Sequence, residues 1–187
     1  MGRAETSPRT AELEVRVATA AELPRRMRAD ILALCERAYA EDLEAQFRSF
    51  VEPVHVVGVL DERVVSHAMW VTRWLAPANA DPLRTAYVEA VATEPELQGR
   101  GHASLLMRRL IAEIQGFDLA ALSPSDAGEG LYQRVGFEVW RGPLFIRTAH
   151  GLEATPDERV MVRRLPRTPR LDLDAALSAE WRDGEVW

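Results

Sequence analysis

Lysine is absent from this chain: all 23 basic residues among its 187 are arginines. A phosphate loop that depends on a lysine ammonium is therefore excluded. Cysteine is almost absent. Cys35 alone cannot form an internal disulfide, and it sits in the apolar helical run Ile31-Leu32-Ala33-Leu34-Cys35, where packing is its expected role. No run approaches the ~18 apolar residues of a membrane span. Residues 1–11 are polar and lack the apolar centre of a signal peptide, so a cytosolic chain without membrane contact is expected. His55, His67, His102 and His150 are dispersed without ligand spacing, and no metal is expected. The net charge of −6 suits a cationic ligand better than nucleic acid.

What is present is a core-forming chain with an apolar fraction of 47%. Residues 1–11 read as a flexible leader and 12–187 as one domain, of which 166–187 form a C-terminal tail. Leu13, Val15 and Val17 alternate as in a half-buried strand. Leu23, Met27, Ile31, Leu34 and Ala38 predict an amphipathic helix over 21–40. Strands are expected at 54–60, 64–74 and 85–93, with Asp61-Glu62 as a hairpin turn and 77–82 as a loop. Ala103, Leu106, Met107, Leu110, Ile111 and Ile114 predict a second helix, which Gly116 closes. A short strand at 119–122 follows. Ser125-Asp126 are placed to cap a short helix to Val135, closed by Gly136. Strands at 137–140, 145–147 and 160–165 complete a mixed α/β sheet whose central βαβ unit carries a glycine turn.

That turn is Gln98-Gly99-Arg100-Gly101-His102-Ala103. A glycine turn opening a helix is an anion trap, because its N–H groups point outward unpaired and the helix dipole adds positive charge. The lysine-dependent loop fails at once. The dinucleotide fingerprint needs a glycine where Ser104 stands, and this turn falls past mid-chain. The acyl-CoA pattern [QR]-x-x-G-x-[GA] is met in order by Gln98, Gly101 and Ala103.

With that turn, the following amphipathic helix and strand, and Leu131-Tyr132-x-x-x-Gly136-Phe137, the chain resembles the GNAT superfamily of acetyl-CoA-dependent N-acetyltransferases over roughly residues 12–165. Three further segments are similar to the aminoglycoside 2′-N-acetyltransferases. They are Tyr87-Val88-Glu89-x-Val91-Ala92, Ala121-Leu122-Ser123-x-Ser125 and the closing Trp181-Arg182-x-Gly184-x-Val186-Trp187. The resemblance implies a GNAT-type mixed sheet flanked by helices, with the acyl-CoA site at a splayed and bulged central strand. It also implies a homodimer that moves acetyl from acetyl-CoA to a drug's 2′-amine.

Acetyl transfer needs the donor held, the amine neutral, the carbonyl polarised and the leaving thiolate protonated. The resemblance assigns the donor to Gln98, Gly99, Arg100, Gly101, His102, Ala103 and Ser104, and to the main chain of Val91, Ala92 and Thr93. The Val91 N–H polarises the carbonyl, Glu89 takes the amine proton through one or more waters or holds the substrate ammonium directly, and Tyr132 protonates the thiolate. Alternation places Glu89 on one face with Tyr87 and Val91. The acceptor is assigned to Asp42, Glu89, Ala90, Ser123, Asp157, Glu158, Glu185 and the Trp187 terminus. Each of these acids, taken alone, also reads as a solvated surface charge. Glu158 and Glu185 stand where aspartate is expected, which leaves open a small acceptor such as kasugamycin beside the 2-deoxystreptamine drugs. Another small amine or a peptide N-terminus, and a non-catalytic acyl-CoA sensor, are the alternatives.

Overall fold

Ten strands among the described residues join in one mixed sheet. The computed structural model describes residues 12–78, 80–184 and 186–187. The leader and Glu185 lie outside the described residues. The elements run β1 (Glu14–Thr19), α1 (Arg25–Tyr39), α2 (Glu44–Ser49), β2 (Val54–Leu60), β3 (Arg63–Pro77) and β4 (Leu83–Thr93). They continue with α3 (His102–Glu113), β5 (Leu119–Leu122), α4 (Glu129–Arg134), β6 (Glu138–Val139), β7 (Leu144–Thr148), β8 (Gly151–Ala154), β9 (Met161–Arg164) and β10 (Leu177–Glu180).

The sheet order is β6-β9-β5-β4-β3-β10-β7-β8, with β2 and then β1 alongside the first part of β3. Among the described residues, only β4–β5 and β10–β7 run parallel. One face packs Val56, Ala68, Trp70, Ala86 and Val88 against Leu106, Met107 and Leu110 of α3. The spacing of those three leucine and methionine positions is the helical stripe read from sequence. Ile31, Leu34 and Cys35 of α1 cover Val57 and Val59 on the opposite face. No helix among the described residues is long and apolar enough to cross a membrane.

Several elements depart from the sequence reading. Helix α1 starts after Pro24, which cannot donate and fixes the entry to the first turn. Helix α4 starts at Glu129 rather than at a Ser125-Asp126 cap: the Ser125 carbonyl takes the Gly128 and Glu129 N–H groups, and no side chain caps the helix. The short α2, β8 and β10 were not read from the sequence. The tail is part of the sheet, since β10 lies between β3 and β7 and buries Leu177 and Ala179 in a core with Leu171 and Leu173.

Two features of β4 shape its surroundings. Its pairing with β5 stops at Tyr87↔Ala121, although β4 continues to Thr93, so the two strands part. Its register with β3 passes from Met69↔Glu89 to His67↔Ala92, which sets Ala90 and Val91 opposite Ala68 alone. This is a β-bulge, with Ala90 left-handed at φ 50°. The bulge breaks the two-residue period, and that corrects the expected alternation. Val91 packs with Val88 against the α3 side, not on the face that Glu89 shares with Tyr87.

The Asp61-Glu62 hairpin also holds, with both residues at positive φ (47° and 61°) as a two-residue primed turn demands. Side chains resist that conformation, so Glu62→Gly is expected to stabilise the fold by about 0.5 kcal/mol. Urea unfolding checks this; an unchanged or lower midpoint contradicts it.

Candidate active site

Strand β4 and helix α4 each border two cavities. The first, about 220 Å³, is lined by Thr93, Gln98, Gly99, Gly101, His102, Ala103, Ser104, Leu131 and Arg134, among others. Gly101 sits at the N-cap of α3 with φ 86°, a conformation that glycine takes without strain. A Cβ there would meet nothing within 4 Å, so conformation rather than space calls for glycine. The Gln98 side chain donates to the Thr93 carbonyl at 3.3 Å and ties the turn to the strand end. Unpaired amides at the start of α3, with its dipole, give this cavity the chemistry of a phosphate site. Arg100 is exposed and not among the lining residues, whereas Arg134 is. Helical spacing could have found it: Leu131 and Arg134, three apart, share the α4 face turned to the cavity.

The second cavity is a cleft of about 290 Å³ where β4 and β5 part. Its walls bring together Glu89, Ala90, Val91, Ser123, Tyr132 and Trp187 of the sequence-read residues. They add Tyr39, Glu41, Gln46 and Phe47 from the α1–α2 corner, which the sequence reading missed. The corner forms because α1 ends on left-handed Ala40 and the chain turns back into α2. Tyr39 donates its hydroxyl to the Val91 carbonyl at 3.0 Å.

Asp42, Asp157 and Glu158 are not among the cleft-lining residues. Asp42 instead accepts from the Glu44 N–H at 3.0 Å in the first turn of α2. Asp157 and Glu158 are exposed in a turn closed by the Glu158 N–H on the Thr155 carbonyl. Ala92 is buried against the α1 side and its carbonyl accepts from Ser66 Oγ at 3.1 Å. Val91 therefore borders the cleft and Thr93 the phosphate-type cavity, so the bulged end of β4 passes from one to the other.

Glu89 is nearly buried and accepts from Arg182 at 2.6 Å. The Arg182 guanidinium lies 5.9 Å from the Tyr87 ring centre and 5.8 Å from that of Phe50, which fixes the tail segment over the carboxylate. Trp187 is buried and donates its indole N–H to Thr155 Oγ1 at 2.9 Å. Burial pushes the Tyr132 phenol up to about 12, so it stays protonated at neutral pH and can donate. Among the described residues, no group of three or more His, Cys, Asp or Glu could hold a metal ion.

Behind the bulge lies a buried histidine pair. His67 Nδ1 is 2.8 Å from the Ala90 carbonyl, and His67 Nε2 is 2.9 Å from His55 Nδ1. Burial pushes His55 down to about 4 and His67 down to about 3, with Arg28 and the neighbouring His55 respectively adding to the effect.

A sequence model of the GNAT acetyltransferase domain matches residues 14–140. An aminoglycoside 2′-N-acetyltransferase of Mycolicibacterium fortuitum is 35% identical over 129 residues, which is 66% of this chain and 66% of that protein, just under two thirds of its length. Among solved structures, a GNAT family N-acetyltransferase from Escherichia coli (YhbS), in complex with CoA, has a TM-score of 0.64 at 20% identity. The match covers 92% of this chain and 91% of that one. Eis1 from Mycobacterium abscessus gives a TM-score of 0.60 at 19% identity, covering 72% of this chain and about a third (33%) of its own.

The histidine pair has a consequence for stability. Both groups bind protons more weakly folded than unfolded, so the unfolded state gains protons first as pH falls. Their contribution is complete above their ordinary value of 6.5 and is lost as pH falls toward 4. The expected loss across that window is on the order of a few kcal/mol. Urea unfolding from neutral to mildly acidic pH reads it, and the loss should shrink in a His55→Leu/His67→Leu double variant. An identical pH profile in the two proteins contradicts this origin.

Proposed function

The chain belongs to the GNAT acetyltransferase family and carries its fold, and from that premise we propose that it transfers the acetyl group of acetyl-CoA directly to the 2′-amine of an aminoglycoside. The observation that carries the reading is that β4 and α4 both border the phosphate-type cavity and the cleft with Glu89 in its wall. A donor spanning the two would have its pyrophosphate at Gly99–Ser104 and its thioester beside Val91. The name of the Mycolicibacterium fortuitum relative supports the choice of acceptor.

In this proposal the residues divide the chemistry as follows. The α3 amides and Arg134 bind the donor's phosphates, with Arg134 taking the role expected of Arg100. The Val91 N–H, turned by the bulge, donates to the thioester oxygen and stabilises the charge that grows there. Glu89, oriented by Arg182, takes the proton from the acceptor ammonium, directly or through water. The amine nitrogen then bonds to the carbonyl carbon as the carbon–sulfur bond breaks. Tyr132 gives its proton to the departing sulfur, and the second proton that the nitrogen sheds on becoming an amide returns the phenolate to its neutral form. The product amide carries no charge at that nitrogen, so the drug loses a cationic contact.

Residues 12–187 form the proposed domain, with 166–187 supplying Arg182 and Trp187 to the acceptor side. Cytosolic placement and assembly as a homodimer, readable by sedimentation, belong to the same proposal. A second reading, a smaller or less highly charged amine, is favoured by one observation: Asp42, Asp157 and Glu158 lie outside the cleft wall, which leaves Glu41 and Glu89 as its lining acids among the described residues.

Incubation with acetyl-CoA and a panel of aminoglycosides, followed by mass spectrometry, tests the acceptor. One acetyl mass added at a 2′-amine is expected; acetylation of small amines alone favours the second reading, and no transfer to any amine sinks both. Tyr132→Phe is expected to lower kcat about 100-fold. Arg134→Ala is expected to raise the KM for acetyl-CoA about tenfold with little change in kcat. Steady-state kinetics checks both, and an unchanged Tyr132→Phe enzyme contradicts the assignment of the acid.

A further inference from the structure

The proton positions of the buried histidine pair follow from what it touches. A carbonyl oxygen only accepts, so at 2.8 Å the Nδ1 of His67 must carry its hydrogen and donate to Ala90. Held neutral by burial, the His67 ring then offers Nε2 as an acceptor. His55 Nδ1, 2.9 Å away, must be the donor to it. A directed chain therefore runs from His55 through His67 to the main chain of the bulge. His67 is fully buried, and Phe47 and Cys35 border it (ring centres 6.3 Å apart; Sγ 3.7 Å from Nδ1), so its ring has no water to turn toward.

The Ala90 carbonyl is the group that most needs such an anchor. In a regular ladder each strand carbonyl has a partner, but two residues here face one, and the ladder is interrupted. Ala90 is also an L-residue at φ 50°, a conformation costing roughly 1–2 kcal/mol, which persists only when its surroundings enforce it. Rotating the Ala90–Val91 peptide would move the Ala90 carbonyl and the Val91 N–H together, because they share one rigid plane. A donor clamped on one end of that plane fixes the other.

We propose that His67 is a positioning residue for acetyl transfer: by donating to the Ala90 carbonyl it fixes the Ala90–Val91 peptide plane and so aims the Val91 N–H at the thioester oxygen. His55, by donating to Nε2, holds the His67 ring in the required tautomer and orientation. The inference rests on the reading of Val91 as the polarising group.

The test compares His67→Asn, whose amide nitrogen reaches the place of Nδ1, with His67→Gln and His67→Leu, which leave that place without a donor. Each full-length protein binds acetyl-CoA carrying a heavy-carbon label at its carbonyl, and the infrared carbonyl band is recorded without any acceptor. In the parent protein and in His67→Asn the band should move to lower frequency than in free acetyl-CoA. In His67→Gln and His67→Leu it should return toward the free value. With an acceptor present, those two variants should lose about 100-fold in kcat, with the acetyl-CoA KM within about threefold of the parent. His67→Asn should recover most of the rate.

Equal bands in all four proteins overturn the inference, as does an equal loss in His67→Asn and His67→Gln, which would mark a packing role only. If His67→Leu fails to fold, the Asn and Gln pair decides alone. A parent protein that acetylates no aminoglycoside but shows the expected band pattern defeats the acceptor reading and leaves this inference standing.

Discussion

Two residues of β4 face one residue of β3, and most of what is distinctive about this molecule follows from that mismatch. An extra residue turns the strand's side chains over, so Glu89 points to the α1 and tail side while Val91 points to the α3 side. It interrupts the ladder, so the Ala90 carbonyl takes a side-chain donor from His67. The separation of β4 from β5 beyond Tyr87 then leaves the bulged segment bordering a cleft rather than buried beneath a neighbouring strand. A left-handed alanine is costly, and the structure meets that cost with packing and hydrogen bonds from three sides: the His67 ring, the Tyr39 hydroxyl on Val91, and the Ser66 hydroxyl on Ala92.

Arginine holds the rest of the site. Arg73 is buried on β3 and donates to Glu180 Oε1 at 2.7 Å, to the Glu180 carbonyl at 2.8 Å and to the Val186 carbonyl at 2.7 Å. Its planar fork can reach all three acceptors at once, which a lysine ammonium on its single point could not match in geometry. Arg147 donates to the Ser178 carbonyl and to the Trp74 carbonyl, tying β7 to β10 and β3. Arg182 closes on Glu89. Strand β10 is thus tied to β3 and β7, and the segment after it to β3 and β4, by three guanidinium groups, and Trp187 of the tail lines the cleft. The lysine-free composition, which excluded one class of phosphate site, here supplies the clamps.

The sequence made some of this legible and concealed the rest for physical reasons. Helix α3 was readable because Leu106, Met107 and Leu110 bury one continuous stripe. The Asp61-Glu62 turn was readable because a two-residue connection between alternating strands has few geometries. Strand β10 was not, since Leu177-Ser178-Ala179-Glu180 has too few residues for a period, and its partners β7 and β3 lie far away in sequence. The bulge came from family resemblance alone; strict alternation, applied without it, put Val91 on the wrong face. Of the acidic residues grouped by resemblance, Glu89 borders the cleft and Asp42, Asp157 and Glu158 do not. A carboxylate's position depends on which backbone turns around it, and Asp42 is taken by the first turn of α2. Arg134 carries a helical-spacing signal, three residues after Leu131 on the same face of α4.

Donor and acceptor are proposed to meet at the bulged peptide after Glu89. A crystal structure of the full chain with bound acetyl-CoA tests it most directly. The pyrophosphate is expected on the amides of Gly99–Ser104 beside Arg134, the pantetheine arm in the opening between β4 and β5, and the thioester oxygen within about 3 Å of the Val91 nitrogen. A donor bound with its thioester remote from Val91, or with the Ala90–Val91 peptide flattened into a regular ladder, would contradict it.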